Sequence, residues 1–115
     1  MRTTVLLLNL GVSLASAAWG VVALVRPASL SGARELLNGQ RFYAHMYAAR
    51  AIPFEFASGI LPLCTRGSAV LWLLFTAAFI QFLDIVIAYG KEDRKMMLGA
   101  GVGTAVHLAC AVTFL

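Results

Sequence analysis

Four long apolar segments constrain the fold more than any other feature of the sequence. They cover residues 4–25, 42–63, 69–89 and 96–115, and hydrophilic connections separate them. Each has about the 20 residues that a helix needs to cross the hydrocarbon core of a bilayer. Because 61% of the 115 residues are hydrophobic and only 12% are charged, a water-soluble domain of this size could not cover its apolar surface. The sequence therefore predicts one all-α domain, a four-transmembrane-helix antiparallel bundle.

The first segment has a second interpretation. Arg2, the apolar run 5–14 and the small residues 15–17 follow the pattern of a cleaved signal peptide. The apolar character continues to Val25, further than the hydrophobic region of a signal peptide requires. We therefore favour a first membrane-spanning helix over a cleaved leader.

The first connection, residues 27–40, predicts a short interfacial helix. Ser31 is a candidate N-cap for a helix over 32–37, and Asn38 with Gly39 provides a stop signal. The leucines of this segment would lie at the headgroup boundary while its charged residues stay in water.

Basic residues set the predicted orientation. The first and third connections carry most of them: Arg26, Arg34, Arg41, Lys91, Arg94 and Lys95. The other side of the membrane would have only Arg2 and Arg66. Since basic loops stay in the cytoplasm, we expect these two loops there and both termini outside or in the lumen. The net charge of +4 then suits contact with anionic membrane lipid, and without a basic stripe we expect no nucleic-acid partner.

The second segment contains the residues that a bilayer tolerates least. Arg50 and Glu55 lie near the middle of residues 42–63, where a charged side chain costs about 2.5 to 3.5 kcal/mol. Pro53 removes a helical hydrogen bond and predicts a kink beside them. Because charged groups at this depth need partners, we expect the other three helices to surround this one.

The depth of each polar residue predicts which side chains meet. Counted from the cytoplasmic end of each span at about 1.5 Å per residue, Arg50 falls level with Gln81 and within reach of Asp84. Glu55 falls level with His107 by the same count. We therefore expect an ion pair of Arg50 with Asp84, and a deeper pair of Glu55 with His107.

These side chains form the candidate site. The candidate catalytic residues are Glu55, Asp84 and His107, and the candidate substrate-binding residues are Arg50, Tyr47, Gln81 and His45. Intramembrane ionisable residues are candidates for function by default, because burying them is costly. The two cysteines, Cys64 and Cys110, have no metal-binding spacing, so we predict no metal and no cofactor.

One pattern in the chain resembles a known group of proteins. Tyr47-Ala48-Ala49-Arg50, Asp84 near the end of the third span and His107 in a span of small residues resemble a family of small four-helix membrane proteins, akin to the DoxX-like proteins. The resemblance covers nearly the whole chain. It implies a membrane bundle with Arg50, Asp84 and His107 at its polar centre, and no settled activity. Glu55 lies outside the pattern, so its role rests on the residue-level argument.

Acid–base chemistry on a lipophilic small molecule is the first predicted function. A cofactor-independent isomerase, cyclase or epoxide hydrolase needs a proton donor and an acceptor in a dry pocket. Glu55 would be the acid, Asp84 the charged orienter or base, and Arg50 would bind a substrate oxygen.

Two other functions stay open. A small transporter would resemble the four-helix multidrug exporters in its membrane glutamate, although Arg50 and His107 would oppose a cation. It would need a homodimer, for which the small residues Gly99 and Gly103 offer a face unless they pack within one bundle. A non-catalytic accessory or assembly subunit is the third, with polar side chains that only fix helix pairing.

Overall fold

Four helices make up the described part of the chain, residues 2–26 and 38–115 of a computed structural model. They are α1 (Arg2–Val25), α2 (Asn38–Cys64), α3 (Ser68–Gly90) and α4 (Arg94–Val112). Together they form a bundle of 45 × 25 × 19 Å, which confirms the predicted all-α four-helix architecture. The predicted interfacial helix over 32–37 lies outside the described residues.

The start of α2 corrects one boundary. Asn38 and Gly39, predicted to end the interfacial helix, belong instead to the first turn of α2. Both residue types are common at either end of a helix, so the sequence alone did not fix which end they mark.

Among the described residues, three helices are long and apolar enough to cross a membrane, namely α1, α3 and α4. The prediction of four spans is therefore supported for three of them. At 27 residues α2 has the length, and it runs continuously through Pro53 and Pro62. His45, Arg50 and Glu55 interrupt its apolar sequence, which explains why composition alone does not mark it as a span.

Small residues fill the inside of the bundle and large apolar residues face outward. Ala17, Ala48 and Ala77 are buried, whereas Trp72 is 70% exposed and Leu98 is 72% exposed. A water-soluble bundle would show the reverse distribution. Small residues between helices let the backbones approach closely, as in membrane bundles.

The helices pack as two antiparallel hairpins. α1 packs against α2 and α3 against α4, and the hairpins meet mainly through α1 and α4. Of the neighbouring pairs, α2 and α3 contact each other least. A Cβ at Gly59 would lie 2.9 Å from Ser13 Cβ, so α1 and α2 are nearly in backbone contact there.

Two short turns connect the later helices. Gly67, just before α3, has φ of +139°, a conformation that side chains disfavour. Asp93 caps α4, because its side chain accepts a hydrogen bond of 3.0 Å from the backbone N–H of Met96. Both turns are short enough to keep consecutive helices antiparallel.

The bundle is apolar near the chain ends and polar at its middle. In the apolar part, Val70 and Leu74 of α3 pack against Cys110 and Ala111 of α4. Cys110 is a buried free thiol in this apolar cluster, and Cys64 is free and exposed. Neither thiol therefore contributes a polar group to the centre.

Candidate functional site

Six buried polar side chains from all four helices form a polar layer at the middle of the bundle. These are Asn9, Ser13, Glu55, Ser58, Gln81 and His107, each no more than 7% exposed. Buried polar groups in an apolar setting are costly unless they form hydrogen bonds. The partners of each group therefore decide whether the layer is purely structural.

Asn9 connects three helices within the polar layer. Its Nδ2 donates a 2.8 Å hydrogen bond to the backbone carbonyl of Ser58 on α2. Its Oδ1 lies 2.8 Å from Nδ1 of His107 on α4. Because an amide oxygen only accepts, Nδ1 of His107 must carry the proton.

Gln81 ties α3 to α1. Its Nε2 donates a 3.1 Å hydrogen bond to Oγ of Ser16. The glutamine also packs against the backbone of α4, where a Cβ at Gly103 would lie 2.8 Å from Gln81 Cδ. Gly103 thus serves close packing inside the bundle, whereas a Cβ at Gly99 would meet nothing within 4 Å.

Three atoms of the polar layer are buried without a hydrogen-bond partner among the described residues. They are Oγ of Ser13, Oε2 of Glu55 and Nε2 of His107. Leaving a buried polar group unsatisfied costs about 1 to 3 kcal/mol, and more for a charged group. The layer therefore has unused hydrogen-bonding capacity on three helices, which a purely structural network would avoid.

Glu55 lies where α2 faces both α1 and α3. Its neighbours Ile52 and Gly59 contact Gly20 and Ser13 of α1, so Glu55 falls between these two contact points. Ser16, which binds Gln81, occupies the same level of α1.

Asp84 follows Gln81 by one helical turn and is half-buried. It interacts electrostatically with Glu55 and with Tyr47, so these three residues lie near one another at the seam between α2 and α3. Two carboxyls and a phenol thus lie within electrostatic range of one another where the helices are packed least.

The predicted ion pair of Arg50 with Asp84 does not form. Arg50 is exposed, and its guanidinium donates a 3.4 Å hydrogen bond to the carbonyl of Met46 on its own helix. Five residues separate Arg50 from Glu55, which places their side chains about 140° apart around α2. With Glu55 turned inward, Arg50 cannot face the centre. His45 is likewise exposed.

The predicted pair of Glu55 with His107 does not form either, and a hydrogen bond between His107 and Asn9 takes its place. His107 uses Nδ1 to bind Asn9, a residue whose amide offers a closer partner at the same depth. Both Glu55 and His107 are nevertheless buried in the polar layer, together with the predicted Gln81.

Three serines at this level were not among the predicted site residues: Ser13 and Ser58 of the polar layer, and Ser16 beside it. Ser13 and Ser58 are fully buried, and Ser16 accepts the bond from Gln81. Small polar residues within apolar segments commonly lie between membrane helices, and their alignment with Asn9 at helical spacing was the available signal.

Within residues 2–26 and 38–115, no group of three or more His, Cys, Asp or Glu side chains is placed to hold a metal ion. No protein-family model matches the chain, and no curated protein or solved structure matches it. The function is therefore inferred from the geometry of the polar layer.

Proposed function

We propose that the chain is a small multi-pass membrane protein in which α2 is the fourth span. The apolar exteriors of α1, α3 and α4 support this, as does the length of α2. The exposed Phe42, Phe56 and Ile60 give α2 an apolar outer side as well. The basic residues favour cytoplasmic first and third loops, with both termini on the opposite side.

We further propose that its polar layer binds a lipophilic small molecule. The observation that carries this proposal is Oε2 of Glu55, which is buried and has no hydrogen-bond partner among the described residues. A ligand that offers a donor to this carboxyl would relieve the cost of burying it. The seam between α2 and α3, where Tyr47 and Asp84 also lie, is the route by which such a molecule would arrive from the bilayer.

The predicted chemistry of the site stays a prediction. Glu55 and Asp84 interact electrostatically and would supply the acid and the base, but Arg50 is not placed to bind an oxygen of the substrate. An isomerase, cyclase or epoxide-opening activity would therefore rely on Glu55, Asp84 and Tyr47. The resemblance to the DoxX-like proteins and the homodimer stay predictions as well.

A non-catalytic accessory subunit is the second candidate function. The hydrogen bonds from Asn9 to Ser58 and His107 favour it, because they fix the pairing of three helices. It does not account for the unpartnered carboxyl of Glu55.

A lipophilic carbodiimide tests the proposed function. Dicyclohexylcarbodiimide adds to protonated carboxyls that are reached from an apolar phase, whereas a water-soluble carbodiimide reaches exposed ones. We expect the lipophilic reagent to modify Glu55 and the soluble reagent to prefer Glu92 of the exposed turn. Mass spectrometry of the nanodisc-embedded protein identifies the site, and Glu55→Gln is the matched control. Modification confined to Glu92 and Asp93 with both reagents would overturn the proposal.

A further inference from the structure

Two carboxyls, Glu55 of α2 and Asp84 of α3, lie within electrostatic range of each other and form no ion pair with a basic side chain of the described residues. Glu55 is 5% exposed, and Asp84 is half-buried one turn beyond the buried Gln81. In the described part of the chain, neither carboxyl forms an ion pair with a Lys, Arg or His side chain. Like charges repel more strongly in a medium of low dielectric constant than in water. The pair therefore needs protons or an added positive charge.

The basic groups that were expected near the two carboxyls are directed elsewhere. Arg50 points outward and binds the carbonyl of Met46, and His45 is exposed. His107 is buried, but its protonated Nδ1 is used by Asn9. The objection that Arg50 and His107 would repel a cation therefore does not apply to the Glu55 and Asp84 side of the bundle.

We propose that this site selects a lipophilic organic cation, which binds between the carboxyls of Glu55 and Asp84 beside the ring of Tyr47. This inference rests on the proposed function, since it names the class of molecule that the polar layer binds. The positive charge would compensate the buried carboxylates, and Tyr47 would offer an aromatic face to it. An apolar body is required because the seam opens toward lipid rather than water.

Two ions of the same shape and opposite charge provide the probe. Tetraphenylphosphonium and tetraphenylborate differ mainly in the sign of their charge. Each is added to the nanodisc-embedded protein before the lipophilic carbodiimide, and the modification of Glu55 is measured by mass spectrometry. We expect the phosphonium ion to protect Glu55 at a concentration about tenfold or more below that needed by the borate ion.

The two ions also differ in how strongly they partition into the membrane. Variants of the protein separate this effect from recognition of the charge by the site. Asp84→Asn removes one carboxyl, so the phosphonium concentration for half-protection should rise about tenfold, equivalent to about 1.4 kcal/mol. Arg50→Ala is the matched control: it removes an outward charge and should leave that concentration unchanged. Circular dichroism verifies that each variant is folded.

The outcomes distinguish the two proposals. If Glu55 is not modified at all, the small-molecule site itself fails, and the cation inference fails with it. If Glu55 is modified but both ions protect it equally, or neither does, the site stands and cation selection is wrong. Equal protection of wild type and Asp84→Asn by the phosphonium ion would also overturn cation selection.

Discussion

His107 and Asn9 join α4 to α1 through a contact of 2.8 Å between Nδ1 and Oδ1, in a region where neither side chain is accessible to solvent. Asn9 extends the connection to α2 by donating to the carbonyl of Ser58. One asparagine thus fixes the relative position of three helices. The two hairpins meet mainly through α1 and α4, so this contact lies at their principal interface.

Replacing Asn9 with alanine should destabilise the bundle by about 1 to 3 kcal/mol, because it leaves the carbonyl of Ser58 and Nδ1 of His107 buried without partners. The free energy of unfolding in mixed micelles measures the loss. Thr76→Ala is the control, since the hydroxyl of Thr76 is exposed and bonds only within its own helix.

A double-mutant cycle with His107→Ala isolates the contact itself. Interhelical hydrogen bonds in membrane proteins average about 0.6 kcal/mol of coupling and reach about 1.7. Additive effects of the two substitutions would contradict the bond between Asn9 and His107.

The sequence predicted the helices, and which polar residues are buried between them, better than it predicted the contacts of those polar residues. The length of each apolar segment defines a helix and the depth of each residue along it. Gln81, Glu55 and His107 were therefore correctly expected in the interior. Depth does not fix the direction of a side chain around its helix. Arg50 shows this: it was expected to face Gln81 and Asp84, but Gln81 binds Ser16 at the level of Glu55, and the angle of about 140° between Arg50 and Glu55 turns Arg50 outward.

Arg50→Ala should change the free energy of unfolding by less than about 0.5 kcal/mol, as expected for a surface substitution. Arg50 has one hydrogen bond, to Met46 of its own turn, and no ion pair to lose among the described residues. Thermal unfolding in detergent provides the comparison with wild type. A loss of several kcal/mol would restore the ion pair with Asp84 that the sequence suggested.

Two glycines should respond oppositely to the same added methyl group. Gly59→Ala places a Cβ 2.9 Å from Ser13 Cβ, an atom next to the backbone that cannot move aside without shifting α1. Such overpacking costs about 1 to 3 kcal/mol. Gly99→Ala meets nothing within 4 Å and gains helix propensity, so it should be neutral or stabilising.

The unfolding midpoint of each variant in the same detergent decides this prediction. Equal midpoints for Gly59→Ala and Gly99→Ala would mean that α1 and α2 are not in close contact at Ser13.

The two cysteines allow the orientation of the chain in the membrane to be tested with few substitutions. Cys64 is exposed at the end of α2 beside the second loop, whereas Cys110 is buried and serves as the unreactive control. If the basic first and third loops are cytoplasmic, a membrane-impermeant maleimide should modify Cys64 only from the outer or lumenal side of sealed vesicles. Lys91→Cys in a Cys64→Ser background should react only from the other side.

The two reactions together test whether α3 crosses the membrane and, separately, which of its ends faces the cytoplasm. Reaction of both positions from one side would mean that α3, which lies between them, does not cross the membrane. Reaction from opposite sides but with the order reversed would keep α3 as a span and refute the orientation inferred from the basic loops. Because leaky vesicles would let the reagent reach both positions from one side and so mimic the first pattern, the vesicles must first be shown to exclude the reagent.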